Sequence, residues 1–494
     1  MTFGAQDETV AFLSRLDGGA RDIVATHISV VVLCRTRAYK LKRAVVFPYV
    51  DLSTPQRRYT LCERETALNR RFAPTLYLGA RRVTREADGR LALDGQGALV
   101  DGVVEMRRFE QDALFDRLAA SRRLTGDLVE RLATRIAAMH DALAPDFSHG
   151  GYAAMQSVLA MNEASARAAR LATEAELGER FARLGAALAE GVARLDTRRA
   201  EGKVRLCHGD LTLRNICLLD GEPTPFDCLE FSDELATIDV LYDLAFLLMD
   251  LWRAGLPGFA NVALNRYLDR RDESDGLTLL PFFMALRATI RAHVAASQEK
   301  REEARAYFDL SGALLAPAAP RVVAVGGFSG SGKSSLAARL APRLGAPPGA
   351  RVVNSDRIRK RMFGKAPGDR LPQQAYSSEI SAKVYAQMFE TARAAAASPW
   401  PVVVDAVFDR PQDREAIAAV AKACGVPFHG VWLDATFERR AARVDRRLGD
   451  VSDATRAVLS AQMRRDPGAM DWLRVDAARE LNAIASEVES RIGV

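Results

Sequence analysis

The sequence predicts an α/β multidomain chain, a mixed α+β part followed by an α/β part built on a parallel sheet. Three observations predict it. Residues 321–340 run from a short apolar strand, Arg321-Val322-Val323-Ala324-Val325-Gly326, through a Gly/Ser loop into a helix. A polar loop at 208–215 lies between two apolar strands, with a further carboxylate, Asp227, beyond the second. Between these regions, residues 312–320 form a small-residue and proline stretch of the kind that makes a semi-rigid linker. A chain of 494 residues is too long for one core. The expected division is 1–312, a linker at 313–320, and 321–494.

Composition sets the class. With 48% hydrophobic and 27% charged residues and no low-complexity tract, the chain reads as globular. Residues 1–13 place Asp7 and Glu8 among apolar residues and carry no basic n-region, which argues against a secretory signal. No run of about 18 apolar residues is evident, so no membrane span is expected. The six cysteines (34, 62, 207, 217, 228, 424) show neither C-x-x-C nor metal spacing and predict buried thiols in a cytoplasmic protein. The net charge of +6 is modest for the length. Only nine lysines occur, which makes the positions of Lys40, Lys42 and Lys333 informative.

Gly327-Phe328-Ser329-Gly330-Ser331-Gly332-Lys333-Ser334 fits G-x-x-x-x-G-K-[ST]. Its glycines let backbone N–H groups, with Ser329, Ser331 and Ser335 beside them, curl around phosphate oxygens at a helix N-terminus. Lys333 would reach the β/γ-phosphates and Ser334 would hold Mg2+. The expected ligand is a nucleoside triphosphate.

In the upstream part, Arg205-Leu206-Cys207-His208-Gly209-Asp210-Leu211-Thr212-Leu213-Arg214-Asn215-Ile216 places Asp210 and Asn215 five apart. Pro225-Phe226-Asp227-Cys228 follows after a short hairpin. Asp, Asn five later and a second Asp is the spacing of kinase catalytic and metal-binding loops. Ala38-Tyr39-Lys40-Leu41-Lys42 reads as a strand with both lysines on one face. One should pair with the α/β-phosphates, and Lys42 is preferred because Tyr39 and Leu41 stand three and one before it, as in V-A-I-K.

The segment resembles the aminoglycoside phosphotransferase branch of the kinase-like fold, whose loop reads H-G-D-x-x-x-x-N, over roughly residues 30–310. The resemblance implies a bilobal α+β domain using ATP and Mg2+. In it, Asp210 accepts the proton of the acceptor hydroxyl, Asn215 and Asp227 hold Mg2+, and His208 braces the loop. Thr212 stands where many members carry a second histidine. In a helix over 58–72, Glu63 or Glu65 makes the lysine's ion pair, with Glu65 closer to the family's placement. The strand 103–108, with Met106, leads to the hinge where backbone groups meet adenine. Asp243, on an apolar helix over 238–251, braces the catalytic loop from below. Helices over 127–144, 153–200 and 277–311 supply the substrate-binding lobe.

In the downstream part, Arg351-Val352-Val353-Asn354 reads as a strand ending at Ser355-Asp356-Arg357-Ile358-Arg359. This resembles small-molecule and 5′-end kinases of the P-loop class, zeta toxins and gluconate and polynucleotide kinases among them. The resemblance implies Asp356 as acceptor-activating carboxylate and Arg359 as substrate ligand, at the carboxyl end of a strand where open α/β sheets gather ligands. A helix cap by Ser355 or Asp356 is the competing reading. Val402-Val403-Val404-Asp405 predicts a strand whose terminal Asp405 holds Mg2+ through water. The helix 436–447 carries Arg439, Arg440, Arg443, Arg446 and Arg447. Arg443 and Arg447, four apart, are the expected lid arginines over the transferring phosphate.

The expected activity is ATP-dependent phosphoryl transfer to hydroxyl groups of a small molecule at two sites. One alternative is a nucleic-acid 5′-end kinase, for which Arg357, Lys360, Arg361 and Phe363 offer a basic surface and which the charge balance disfavours. A second is a P-loop kinase regulated by a nucleotide-binding scaffold. No membrane partner is expected.

Overall fold

A computed structural model describes residues 4–47, 50–317, 319–445, 452–453, 456–463 and 465–493. Contacts divide the chain into two units, Met1–Met155 with Leu195–Asp250, and Gln156–Arg194 with Leu251–Val494.

The first unit holds a six-stranded antiparallel sheet. Its order is Asp22–Ala25, Ser29–Leu33, Arg37–Lys42, Ala98–Arg107, Tyr77–Arg85, Leu91–Leu93. Arg37–Lys42 is therefore an interior strand, and Lys40 and Lys42 project from the same face of it. The helix Pro55–Asn69 starts with proline at its first turn, and the Thr54 hydroxyl accepts from the Arg57 N–H at 3.3 Å. It packs so closely on the sheet that a Cβ on Gly102 would lie 2.4 Å from Tyr59 Cα. Only glycine permits this approach, which brings Glu65 to the lysines. The hairpin Ile216–Leu219 with Glu222–Pro225 connects Asn215 to Asp227. The helix Val240–Arg253 begins in this unit.

In the second unit all strands of the sheet run parallel, in the order Arg351–Asn354, Val402–Asp405, Val322–Gly326, Phe428–Asp434, Leu473–Asp476. The central strands Val322–Gly326 and Val402–Asp405 are buried at every residue, as their unbroken apolar runs require of a sheet covered on both faces.

Two expectations change here. The helix expected over 153–200 is three helices, Gly151–Ala168, Glu174–Glu190 and Val192–Ala200. Thr173 and Glu176 form a reciprocal capping box that starts the second of them afresh. The division by contacts also departs from the 313–320 linker. The helices Glu174–Glu190, Pro257–Arg270, Leu280–Ser297 and Arg301–Leu314 fall in the same unit as the parallel sheet.

The reason lies at the sheet edge. Arg351–Asn354 is an edge strand, and Asn261, Asn265 and Asp269, four apart along Pro257–Arg270, line its side. The Val352 N–H donates to Asn265 Oδ1 at 2.7 Å. The Ala350 carbonyl accepts from Asn261 Nδ2 at 2.9 Å and Asn265 Nδ2 at 3.1 Å. Arg351 bridges to Asp269 Oδ1 at 2.8 Å, and Arg361 donates to the Asp269 carbonyl at 2.5 Å. A helix thus satisfies backbone groups that an open edge would leave unpaired.

One stretch among the described residues, Ser274–Ser297, has the length and hydropathy (1.2) to cross a membrane, against the expectation of none. It is 67% buried within the protein, and its Thr289 hydroxyl lies 2.9 Å from that of Ser311 on the next helix. These are the features of a core helix. All six cysteines are free thiols, five of them buried.

Candidate active sites

Five charged side chains meet below the upstream sheet. Lys40 Nζ lies 2.8 Å from Glu65 Oε1 and 2.5 Å from Asp227 Oδ1. Lys42 Nζ lies 2.5 Å from Glu65 Oε2 and 2.6 Å from Glu230 Oε1. Glu65 takes both lysines, as its place on the helix predicts, and Glu63 takes no part in these contacts. The preference for Lys42 reverses. Lys42 is fully enclosed between Glu65 and Glu230, whereas Lys40 reaches Asp227, whose side chain is 37% exposed. An i, i+2 pair shares a face but not a depth, and the V-A-I-K comparison does not record which lysine the metal-loop carboxylate meets.

The charges reinforce one another. Burial, the largest influence, pushes the Asp227 and Glu65 carboxyls up, but the Lys40 and Lys42 ammonium groups together hold both below the usual carboxylate range. Burial opposes the charge on Lys40, and Asp227 and Glu65 overcome it, so this lysine stays protonated well above its ordinary value.

The catalytic-type loop is built from backbone bonds. Asn215 Nδ2 donates to Asp210 Oδ2 at 2.7 Å and to the Asp210 carbonyl at 2.9 Å. The Phe226 N–H donates to the Asn215 carbonyl at 2.9 Å, which ties the residue before Asp227 to Asn215. Asp227 has φ 59°, and its N–H donates to Tyr77 Oη at 3.0 Å. The next N–H, of Cys228, donates to Asn69 Oδ1 at 2.9 Å. His208 Nε2 lies 3.0 Å from the Phe226 carbonyl, and burial, against the pull of Asp243, lowers its imidazole below the ordinary value. It braces the loop. Beneath, Asp243 accepts from the N–H groups of His208 (3.3 Å) and Gly209 (2.8 Å), with His140 Nε2 at 3.1 Å. Met106 is packed in the apolar cluster with Ala38, Tyr77 and Phe226.

We expect Asp243→Ala to destabilise this unit by about 3–5 kcal/mol, because buried N–H donors lose their acceptor. Denaturant unfolding reads the effect, and a loss below about 1 kcal/mol would contradict the bracing role.

In the downstream unit Gly327, Gly330 and Gly332 adopt φ of 139°, 81° and 99°, the conformations a phosphate-wrapping loop demands. Lys333 starts the helix Lys333–Leu340, and its Nζ lies 3.2 Å from the Phe328 carbonyl. Ser334 and Ser335 are exposed, and the buried Ser331 hydroxyl has no hydrogen-bond partner among the described residues. Gln462 grips Ser329 twice, accepting from its N–H at 2.9 Å and donating to its Oγ at 3.1 Å.

Asn354 Nδ2 donates to Asp405 Oδ2 at 2.6 Å, and Asn354 Oδ1 accepts from the Arg357 N–H at 2.9 Å. The cap of this helix is Asn354, not Ser355 or Asp356. Asp356 is thereby left to face Lys333 and Asp405, with the Ser452 side chain hydrogen-bonded to it. Burial, the largest influence, raises its carboxyl above the ordinary value, and Lys333 opposes this.

Two further placements are corrected. Arg359 Nη1 donates to the Ala375 carbonyl at 2.6 Å and the guanidinium lies 4.9 Å from the Tyr376 ring centroid, so the chain itself engages it. Arg443 donates to the Ser331 carbonyl at 2.9 Å and the Ala477 carbonyl at 2.7 Å, so the chain itself engages it. Arg440 instead lies over Phe328 at 5.3 Å. Arg447 falls outside the described residues.

Oxygen donors dominate both metal candidates. Asn215 commits its amide nitrogen to Asp210 and Asp227 commits Oδ1 to Lys40, which leaves an amide oxygen and a carboxylate oxygen. Asp405 likewise commits one oxygen to Asn354, with the Ser334 hydroxyl as the second donor. Hard oxygens of this kind suit Mg2+. Tyr77, Asn69, Glu230, Gln462 and Asn354 escape a reading of the sequence. Of these, Asn354 alone carries a local signal, an Asn between strand and helix.

These arrangements define a phosphotransferase of the kinase type, with an upstream kinase-like fold and a downstream P-loop fold. The phosphotransferase enzyme family matches residues 32–277 and an AAA domain matches residues 322–466. The chain belongs to the same family as uncharacterized proteins of Mycobacterium bovis and Mycobacterium tuberculosis, to which it is 30% identical over 482 residues, covering 92% of each chain. A gluconokinase from Sinorhizobium meliloti is similar in structure over 35% of this chain and 93% of its own, at 24% identity and a TM-score of 0.27. The GDP complex of an aminoglycoside 2′-phosphotransferase is similar over 62% of this chain and 96% of its own, at 13% identity and a TM-score of 0.37.

Proposed function

We propose that the chain transfers the γ-phosphoryl group of ATP to alcohol hydroxyls of small molecules at both sites. The observation that carries this reading is the repeated pairing of a phosphate-directed lysine with its own carboxylate set. Upstream these are Lys40 with Asp210, Asn215 and Asp227, and downstream Lys333 with Asp356 and Asp405.

At each site the acceptor oxygen attacks the γ-phosphorus, the bond to the β,γ-bridging oxygen breaks, and ADP leaves. The hydroxyl proton passes to Asp210 upstream and to Asp356 downstream. Lys40, anchored by Glu65, holds the α/β-phosphates, and the backbone near Met106 meets adenine. The loop 327–335 cradles the phosphates, with Lys333 at the β/γ positions. Asn215 and Asp227 in one site, Ser334 and Asp405 in the other, would hold Mg2+, which neutralises phosphate charge when bound.

A 5′-end kinase on nucleic acid is disfavoured. Arg361 is bonded to the Asp269 carbonyl and so is committed within the chain, and the net charge of +6 is modest for the length. A steep salt slope in oligonucleotide binding would revive that reading.

Lys333→Ala tests the two-site reading. Titrated with a fluorescent ATP analogue in Mg2+, the variant should keep the upstream site and lose the downstream one. Retention of both sites, or loss of both, contradicts it.

A further inference from the structure

Asp453 lies in a nest of donors. Its Oδ2 accepts from the Tyr376 hydroxyl at 2.7 Å and the Leu371 N–H at 2.9 Å, and its Oδ1 is 3.2 Å from Lys360 Nζ. The Lys360 side chain is only 2% exposed, and its other partner is the Pro367 carbonyl at 2.6 Å. The Arg359 guanidinium stacks on the same Tyr376 ring. Burying an ammonium is costly unless an anion faces it, so these donors form a built oxyanion subsite. One residue earlier, the Ser452 hydroxyl bonds to Asp356. Asp356 and Arg359 both act electrostatically on Tyr376. The chain thus presents a hydroxyl to the acceptor-side carboxylate and an oxyanion to Lys360.

We propose that the downstream pocket takes an alcohol that also carries an oxyanion, a carboxylate or a phosphate, and that Ser452-Asp453 fills this pocket as an internal stand-in for it. The inference rests on the reading of Asp356 as the acceptor-side carboxylate. The acceptor's anion replaces Asp453 on Lys360, Tyr376 and the Leu371 N–H, and its hydroxyl replaces that of Ser452 on Asp356. Transfer then follows the bond changes given above, with ATP as the phosphoryl source. A neutral polyol has nothing to offer Lys360 and does not displace the stand-in.

Calorimetry on the full chain, saturated with a non-hydrolysable ATP analogue and Mg2+, tests this with glycerate, glycerol 3-phosphate and glycerol as probes. Asp453→Asn removes the internal anion and should tighten binding of an anionic probe at least ten-fold, with glycerol unchanged. Whether glycerate or glycerol 3-phosphate gains more separates a carboxylate from a phosphate subsite. Adding Lys360→Met should abolish the gain. Asp453→Ser removes the same charge with a smaller side chain and serves if the Asn variant does not fold. Equal affinity in wild type and both Asp453 variants, or a gain that survives Lys360→Met, overturns the subsite. Because binding is read without turnover, that failure is distinct from failure of the two-site reading, which Lys333→Ala tests.

Discussion

Asp210→Asn should lower phosphoryl transfer at the upstream site by about 10²–10⁴-fold, the usual loss when a positioned general base is removed. The substitution is mild for the fold, since Asn offers an oxygen to the Asn215 Nδ2 that Asp210 Oδ2 now accepts at 2.7 Å. Nucleotide affinity should hold, because Lys40, Glu65 and Asp227 are untouched. Asp227→Asn should behave oppositely. It removes the charged partner of Lys40 and a metal-directed carboxylate, so Mg·ATP binding weakens before transfer is considered. Single-turnover transfer from γ-labelled ATP, beside nucleotide titration, separates the two. An Asp210→Asn chain within a few-fold of wild type would remove Asp210 from the catalytic role. Equal loss of affinity in both variants would mean that the roles are confused.

The second large effect concerns stability. Asn265→Leu takes the acceptor from the Val352 N–H and one partner each from the Ala350 carbonyl, which keeps Asn261, and the Arg351 guanidinium, which keeps Asp269. The unsatisfied N–H costs about 1–3 kcal/mol, and with the two weakened groups a total of about 2–4 kcal/mol is expected by denaturant unfolding. A loss below about 1 kcal/mol would show that the edge tolerates exposure. By the same argument, a fragment beginning at residue 313 exposes the strand Arg351–Asn354 and should aggregate, whereas one beginning at residue 251 keeps its cover.

Much of the chemistry was legible because it is written in contiguous residues. The loop 327–334 needs only its own glycines, the strand before it and the helix after it, and all three show as local patterns. Asp210, Asn215 and Asp227 sit on one loop and one hairpin, so their spacing survives without knowledge of the rest of the chain. Asp243 came from the family resemblance, and its carboxylate accepts from the His208 and Gly209 N–H groups.

What stayed hidden depended on partners far along the chain. Lys40 and Lys42 are equivalent by strand alternation, and only the arrival of Asp227, 187 positions away, distinguishes them. Nothing near Asn261, Asn265 and Asp269 in sequence announces a sheet edge some 85 residues later. Arg359 was assigned to substrate by resemblance and Arg443 to a lid by resemblance and helical spacing, and neither signal shows the backbone carbonyls to which they donate. The sequence by itself determined the two phosphate-binding loops, the parallel core strands and the carboxylates beside them. The tertiary structure alone decided which charges pair and which helices cover the downstream sheet. The physical reason is that periodicity and motif spacing record a residue's neighbours along the chain, whereas a buried charge or an open strand edge is satisfied by whatever the closed fold brings to it.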